Sequence, residues 1–143
     1  MKRRIIPGEI PTKDLHQYMI GSVSPRPIAF VSTVDENGID NLAPYSFFNA
    51  FSSNPPIVVF SSNRRVSNNT TKDTLHNLYI NKEVVVNVVS YNIVRQMSIA
   101  SAEYAHEVSE FDKSGLTKED ATFIKPKMVK ESPVNMECRV KDI

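Results

Sequence analysis

Cysteine and glycine are scarce in this sequence. Cys138 is the only cysteine among 143 residues, so no disulfide can form within the chain and no thiolate cluster can bind zinc or an iron–sulfur group. The four glycines are too widely spaced for the G-x-G-x-x-G or G-x-x-x-x-G-K loops that bind phosphate. We therefore expect neither a Rossmann nor a P-loop nucleotide site, and we expect a reducing, cytoplasmic location.

Long apolar runs and an excess of one charge are also missing. The longest apolar runs, at 57–60 and 84–86, are far shorter than the roughly 18 to 20 residues that span a bilayer. Pro7 and Gly8 interrupt the chain where a signal peptide would need an apolar stretch. Seventeen basic and sixteen acidic residues give a net charge of +1, so we expect no membrane and no nucleic-acid partner.

Common hydrolase and metal motifs are absent as well. Neither G-x-S-x-G nor H-E-x-x-H occurs, and the nearest match is the segment 106–110, in which Glu110 replaces the second histidine. Zinc sites favour nitrogen and sulfur ligands, so the sequence predicts no metal here. His106 is most simply interpreted as a surface histidine.

The residues that are present predict one mainly β domain covering 1–143. The run at 28–34 is rich in residues that favour strands and predicts a first strand. Asn37-Gly38 tolerates the positive φ of a two-residue hairpin turn, so residues 39–50 are expected to return antiparallel. The later patterns predict, in order, a strand at 57–61 buried on both faces, a helix at 72–80 capped by Thr70 or Thr71, a strand at 84–89, a helix capped by Ser90, and a last strand at 133–140.

About five strands and two or three short helices favour an antiparallel sheet that curls into a small barrel. The last predicted strand has no obvious partner, and an open strand edge is normally covered. We therefore expect a partner chain or further residues to cover it. Cys138, on the apolar side of this strand, is expected to be a small buried hydrophobic residue.

Two segments have the composition of a cofactor site. Residues 41–49 combine aromatic rings with small hydrogen-bonding groups and carry no charge, which suits a flat, partly polar ring. A strand with buried aromatic side chains would have the same composition. Residues 61–74 contain hydroxyls, two arginines and a lysine, and they lead to a predicted helix N-terminus, which favours a phosphate. A solvated loop with ordinary helix caps is the alternative.

Together with shorter stretches, these segments resemble a known family. The pieces are SPRPIAFVST at 24–33, NLAPYSFFN at 41–49, NPP at 54–56, Lys72-Asp73-Thr74 with Asn77, and Phe111 after Ser109-Glu110. They occur across residues 22–138 in the order typical of the flavin reductase-like, FMN-binding split-barrel proteins. The resemblance implies a mainly β, Greek-key split barrel with a few short helices, usually a homodimer with FMN near the subunit interface. Because members of the family are longer, the chain is expected to be a C-terminally truncated form.

By position, the resemblance assigns two groups of cofactor-binding residues. The ring and ribityl chain of FMN would contact Ala43, Pro44, Tyr45, Ser46, Phe47 and Asn49, and its phosphate would lie near Ser61, Ser62, Arg65, Lys72, Asp73 and Thr74. Arg26 and Thr33 are weaker candidates. The catalytic residues stay unassigned, because a flavin carries the redox chemistry itself and needs no protein acid or base.

The activity that the resemblance implies is transfer of hydride or electrons between FMN and either NAD(P)H or a redox protein. A non-catalytic, FMN-binding electron carrier is the alternative, because the sequence has no dinucleotide fingerprint and split barrels need none. A small barrel that uses the same strands for protein contacts is a third interpretation.

Overall fold

The computed structural model of the protein describes residues 3–62 and 71–143. Four strands form one antiparallel sheet: β1 (Ala29–Val34), β2 (Asp40–Tyr45), β5 (Glu83–Val88) and β8 (Asn135–Arg139). Their order across the sheet is β2-β1-β5-β8. Two antiparallel hairpins complete the β structure, β3 (Phe48–Ser53) with β4 (Pro56–Phe60), and β6 (Lys118–Glu119) with β7 (Met128–Val129). The chain is therefore mainly β, as expected.

Short helices connect these strands. Within the described ranges they are α1 (Thr12–Ser22), α2 (Asp73–Asn81), α3 (Val94–Ala100), which follows a 3-10 turn at Tyr91–Ile93, and α4 (Glu110–Ser114). Not one of the helices in this part of the chain has the length and apolar character needed to cross a membrane.

The central strands β1 and β5 are buried on both faces of the four-stranded sheet, and successive side chains of a strand point to opposite faces. Phe30 of the central strand β1 packs on one face in a cluster with Leu42 and Phe111. Its neighbour Val31 packs on the other face in a cluster with Tyr45 and Leu78. Residues of α3 and α4 thus cover the first face, and α2 and the β3–β4 hairpin cover the second. On the predicted apolar side of the last strand, Met136, Cys138 and Val140 are partly buried against the second cluster, whereas Val134, expected on the same side, is 50% exposed.

The side chain of Asn87, in β5, connects this strand to β1, β7 and β8 inside the core. Its side-chain amide donates to the carbonyl of Phe30 at 2.8 Å, and its Oδ1 accepts from the Val129 backbone N–H at 2.9 Å and from Asn135 Nδ2 at 2.7 Å. Asn87 is fully buried, and a buried amide is tolerated only when its hydrogen bonds are made. The polar residue therefore fixes β7 and β8 against the centre of the sheet.

The predicted hairpin forms, but its turn and its second strand differ from the prediction. β1 and β2 pair antiparallel, with Val34 opposite Asp40, so the loop has five residues, 35–39, rather than two. The wider loop forms because Asp35 Oδ1 accepts from the backbone N–H groups of Asn37 and Ile39, at 2.9 and 2.7 Å. Gly38 supplies the expected positive φ, +84°. The returning strand ends at Tyr45, and residues 48–53 form the separate strand β3.

Two further strand predictions were wrong. Residues 57–61 were expected to be buried on both faces, but Ile57 and Val59 are 37% and 49% exposed, because β4 lies in a separate two-stranded hairpin. The last strand was expected to lack a partner, but β8 pairs with β5 from Glu83 opposite Arg139 to Asn87 opposite Asn135, and in the described residues only its outer edge is open. Apolarity alone does not reveal which sheet a strand joins.

The helix predictions were right in position and wrong in capping. The helix expected at 72–80 is α2, with Lys72 at the N-cap and no side-chain cap, and Thr70 lies outside the described residues. Ser90 precedes the 3-10 turn and makes no side-chain cap. Helix α1 was not predicted, because none of its residues is buried and it has no clear apolar face.

We predict that Asn87→Ala lowers the free energy of unfolding by about 3 kcal/mol, because it leaves buried hydrogen-bonding groups without partners at about 1–3 kcal/mol each. Asn92→Ala, at an exposed position in the 3-10 turn, is the matched control and should change stability by less than about 0.5 kcal/mol. Urea unfolding followed by circular dichroism measures both. Equal stability of the two variants would contradict the stabilising role that we assign to the buried hydrogen bonds of Asn87.

Candidate functional site

Two clefts meet at the end of β2. The first, of about 70 Å³, is lined by β2, by the start of α2, by residues 100–104 and by Glu110. The second, of about 240 Å³, is lined by α1, by residues 44–47 and by Ser61. Pro44, Tyr45 and Lys72 line both clefts. The segment predicted to hold a flat ring therefore forms the wall that the two clefts share.

The outer edge of β2 is closed without a partner strand. In the described part of the chain β2 lies at the edge of its sheet, with β1 on its other side. The Leu42 N–H donates to Glu110 Oε2 at 3.1 Å, and Pro44, two residues further on and facing the same edge, has no N–H to satisfy. A carboxylate and a proline thus leave the backbone of this strand free to border a cleft.

Tyr45 lies at the centre of the site. Its side chain is buried, its ring is 5.2 Å from the ring of Phe60, and Lys72 Nζ lies 5.2 Å from its ring centroid, within the range of a cation–π contact. Its hydroxyl accepts a hydrogen bond from Ser62 Oγ at 3.5 Å. Burial raises the pKa of the Tyr45 hydroxyl, and the nearby carboxylates act in the same direction. The phenol therefore keeps its proton at neutral pH.

Arg26 holds one side of the second cleft in place. Its Nη1 donates to the carbonyls of Ile20, at 2.6 Å, and Val23, at the C-terminal end of α1, and its Nε donates to Ser46 Oγ at 3.4 Å. The guanidinium also lies 5.7 Å from the ring centroid of Phe47. Arg26, a weaker candidate from the sequence, therefore lies in the cleft and joins α1 to the aromatic segment.

The first cleft is backed by a buried polar network. Asn41 Nδ2 donates to Glu110 Oε1 at 3.2 Å, and Asn41 Oδ1 accepts from Thr74 Oγ1 at 2.6 Å and from Thr33 Oγ1 at 3.4 Å. Asn77 Nδ2 in turn donates to Thr33 Oγ1 at 3.1 Å. Burial raises the pKa of Glu110 above its ordinary 4.5, the charge of Asp73 adds to this, and the N–H donors oppose it.

His106 connects the wall of the first cleft to two carboxylates. Its Nε2 lies 3.3 Å from Asp35 Oδ2 and its Nδ1 lies 3.5 Å from Asp73 Oδ1. Burial raises the pKa of Asp35, but hydrogen bonds from Ile39, Asn37 and His106 outweigh it and hold the value below the usual one. The half-exposed histidine thus ties the segment after residue 104 to α2 and to the β1–β2 loop.

Most of the residues assigned by resemblance come together at these clefts. Those that line them are Ala43, Pro44, Tyr45, Ser46, Phe47, Ser61, Lys72, Asp73 and Thr74. Ser62 contacts the hydroxyl of Tyr45. Asn49 is instead exposed on β3, outside both clefts, with its Oδ1 accepting from the Ala50 N–H at 2.8 Å. Arg65 lies outside the described residues.

Sequence reasoning missed several residues of the site, among them residues 100–104 of the first cleft. His16 and Ile20 line the second cleft from α1, a helix that no apolar periodicity announces. Asn41 lay in the predicted segment, but a role could not be given to one amide among many. Glu110 was noticed only as a replacement for a metal-binding histidine. Its burial next to β2 depends on tertiary contacts that no local pattern reveals.

Comparison with known proteins identifies the family. The model of the flavin reductase-like domain matches residues 21–143. The chain belongs to the flavin reductase-like family. An uncharacterised protein of Aquifex aeolicus is 44% identical over 126 residues, which are 88% of this chain and 64% of that protein. The chain thus spans slightly less than two thirds of this relative's length.

Solved structures of flavin reductase-like proteins have the same fold. Nitrilotriacetate monooxygenase component B from Bacillus cereus superposes with a TM-score of 0.93 at 33% identity, covering 99% of this chain and 69% of that one. A Shewanella frigidimarina protein described as having a split barrel domain gives a TM-score of 0.78 at 24% identity, covering 91% of this chain and 63% of that one. The fold is therefore the split barrel that the resemblance implied.

We predict that Glu110→Gln removes a pH-dependent loss of stability. Because the folded-state pKa of Glu110 is raised, the native state binds more protons than the unfolded state between pH 4.5 and that value, so the free energy of unfolding falls as pH rises through this range. Glutamine does not titrate. The stability of the wild type minus that of the variant should therefore decrease as the pH rises above 4.5.

Urea unfolding across this pH range measures the difference. Glu119→Gln, at an exposed position of β6, shows the effect of simply removing a carboxylate. If the free energy of unfolding of the wild type increased with pH relative to that of Glu110→Gln, the raised pKa of Glu110 would be contradicted.

Proposed function

We propose that this chain binds FMN at the two clefts and acts as a flavin reductase-like oxidoreductase, exchanging hydride or electrons with NAD(P)H or a redox protein. The observation that carries the proposal is the meeting, at Tyr45 and Lys72, of a neutral aromatic wall and the start of a helix with a lysine at its N-cap. A flavin mononucleotide is a flat, partly polar ring joined to a phosphate, and it needs both.

The ring of FMN fits the second cleft. Its wall consists of Pro44, Tyr45, Ser46 and Phe47, which offer apolar surface with hydroxyl groups between the rings. Binding sites for such ligands are mainly apolar with a few well-placed polar groups. The Arg26 guanidinium and the His16 ring both contact the ring of Phe47, at 5.7 and 5.9 Å from its centroid. These contacts fix the position of the ring, so this wall is preorganised.

The phosphate of FMN fits the start of α2. Helix α2 begins at Asp73 beside the first cleft, and the N-terminus of a helix offers backbone N–H groups and the positive end of its dipole to an anion. Lys72 at the N-cap adds a full positive charge, and the hydroxyl of Ser61 lines the same cleft. The chemistry of this donor set thus fits a phosphate.

The protein side chains bind, orient and shield the cofactor. A bound flavin supplies the two-electron chemistry, and protein groups around it determine access and electrostatics. The family and the relative named as a monooxygenase component support a redox role for this chain. An electron carrier would use the same cleft residues, so the measurement has to separate binding from reduction.

We predict that the protein takes up one FMN per chain, and that Lys72→Gln weakens binding by about 10- to 100-fold, because charge-assisted hydrogen bonds contribute about 1.5–3 kcal/mol. Lys141→Gln, at an exposed position that lines neither cleft, is the matched control.

Quenching of flavin fluorescence gives the affinities. Absorbance that bleaches when NADH or NADPH is added without oxygen supports the reductase, and flavin that binds but stays oxidised supports the carrier. If the wild type does not bind FMN, both the reductase and the carrier interpretation are wrong.

We also propose a homodimer in which a second copy covers the β3–β4 hairpin. Phe51, Ile57 and Val59 expose 69%, 37% and 49% of their surface on this hairpin, a concentration of apolar side chains that marks interaction surfaces.

The hairpin surface generates a test of assembly. Phe51→Ser combined with Val59→Ser should convert a dimer into a monomer in analytical ultracentrifugation, because it removes apolar area from the proposed interface. Tyr91→Ser, at a residue that is 91% exposed in the 3-10 turn, is the control and should leave the dimer intact. A wild-type monomer, or a double variant that stays dimeric, would exclude this interface.

A further inference from the structure

The guanidinium of Arg26 is held against the aromatic wall of the second cleft. Its Nη1 donates to the carbonyls of Ile20, at 2.6 Å, and Val23, and its Nε donates to Ser46 Oγ at 3.4 Å. The charged group also lies 5.7 Å from the ring centroid of Phe47. A planar guanidinium loses little freedom in such a set of contacts. Helix α1 and the wall together therefore fix the position of this charge in the cleft.

The positive charge of Arg26 has no counter-ion in residues 3–62 and 71–143. No carboxylate of these residues lies within ion-pair distance of it, and its Nη2 makes no hydrogen bond with them. The carbonyl and hydroxyl groups that Arg26 contacts are neutral, so they orient the guanidinium without cancelling its charge. A positive charge and two N–H donors are thus left for a molecule that occupies the cleft.

The charge limits what the second cleft binds well. Among the described residues that line this cleft, Arg26 and Lys72 are cationic and none is acidic. The apolar wall favours a flat ring, and a cation beside the wall favours a ring that carries negative charge. In a bound FMN, negative charge lies on the phosphate at all times, and on the ring only after the ring has been reduced.

Reduction changes the charge of the ring and leaves the charge of the phosphate unchanged. A hydride is a proton with two electrons, so its transfer from NAD(P)H to the oxidised ring adds one negative charge to the ring and leaves NAD(P)⁺. The charge stays on the ring unless a proton from solvent follows. A cation beside the ring therefore stabilises reduced flavin more than oxidised flavin, whereas a cation beside the phosphate stabilises both equally.

We infer that Arg26 belongs to the flavin site and that its charge acts on the ring, so that the second cleft binds reduced flavin in preference to oxidised flavin. This inference rests on the proposed binding of FMN. Arg26 contacts Phe47, whereas Lys72, at the start of α2, contacts Tyr45. A flavin with its phosphate at the start of α2 and its ring along residues 44–47 brings the ring, and not the phosphate, to Arg26. The charge of Arg26 then raises the reduction potential of the bound flavin.

Affinities for oxidised FMN and for FMN reduced with dithionite, both measured without oxygen, test the inference. Arg26→Gln should weaken binding of the reduced form about 10-fold more than binding of the oxidised form, the scale of an interaction between charges across a partly solvated cleft. For a two-electron couple, a tenfold change lowers the reduction potential by about 30 mV, which equilibration with a reference dye measures. Equal weakening of the two forms would overturn the inference.

Arg95→Gln is the matched control. Arg95 is exposed on α3 and lines neither cleft, so its replacement removes a positive charge of the same kind at a distance from the site. It should change neither affinity. A loss of preference for reduced flavin as large as that of Arg26→Gln would mean that only the net charge of the protein matters, and would overturn the inference.

Riboflavin separates an effect on the ring from an effect on the phosphate. Because riboflavin has the same ring and no phosphate, Arg26→Gln should lower its preference for the reduced form by the same factor as for FMN. If the preference falls for FMN and stays unchanged for riboflavin, the charge of Arg26 acts on the phosphate and the inference is wrong.

Arg26→Lys separates the charge from the attachment of α1. Lysine keeps the positive charge but lacks the planar fork that contacts two carbonyls and Ser46 together. This variant should therefore retain most of the preference for reduced flavin. None of the residues of α1 is buried, so weakening its attachment should leave the sheet folded, which circular dichroism checks. If lysine and glutamine reduce the preference equally, the effect comes from α1 and the inference fails.

The same measurements keep this inference apart from the proposed function. If the wild type binds neither oxidised nor reduced FMN, the proposed function is wrong, and the inference is wrong with it. If the wild type binds both forms and Arg26→Gln leaves their ratio of affinities unchanged, flavin binding stands and the role of Arg26 alone is refuted.

Discussion

The site depends on the contact between Glu110 and the edge of the sheet. One buried carboxylate satisfies the N–H of Leu42 and fixes the amide of Asn41, immediately before the segment that separates the two clefts. Without an acceptor at this position, the N–H of the buried Leu42 would have no partner, at a cost of about 1–3 kcal/mol. Burying the charged carboxylate of Glu110 at this edge costs electrostatic free energy, and this cost raises the pKa of Glu110. Structural closure and the polarity of the site therefore have one physical origin.

The flavin reductase-like site is built between rigid elements. β1 and β5 are buried on both faces and connected by Asn87, and they hold β2 from one side. On the other side, α1 is attached through Arg26 and α2 through Thr74. A shallow cleft between fixed walls suits a cofactor that is itself flat, because little conformational freedom is lost on binding.

The sequence predicts the elements better than it predicts their contacts. The strands near 28–34 and 84–89 were predictable because their β-branched residues fill buried positions, and the helix after Lys72 followed from its apolar spacing. The aromatic segment at 41–49 was recognised by its lack of charge. The exposure of Val59 and the width of the loop after Asp35 were not predictable, since they depend on sheet membership and on side-chain acceptors. Helix α1 and the carboxylate of Glu110 reach the site through long-range contacts, which leave no local pattern.

A crystal structure of the protein with FMN tests the central claim most directly, because it locates ring and phosphate independently of activity. The account predicts the isoalloxazine ring against the wall formed by residues 44–47 and the phosphate at the start of α2 beside Lys72. A flavin ring bound away from residues 44–47, or a phosphate bound away from the start of α2, would contradict the account.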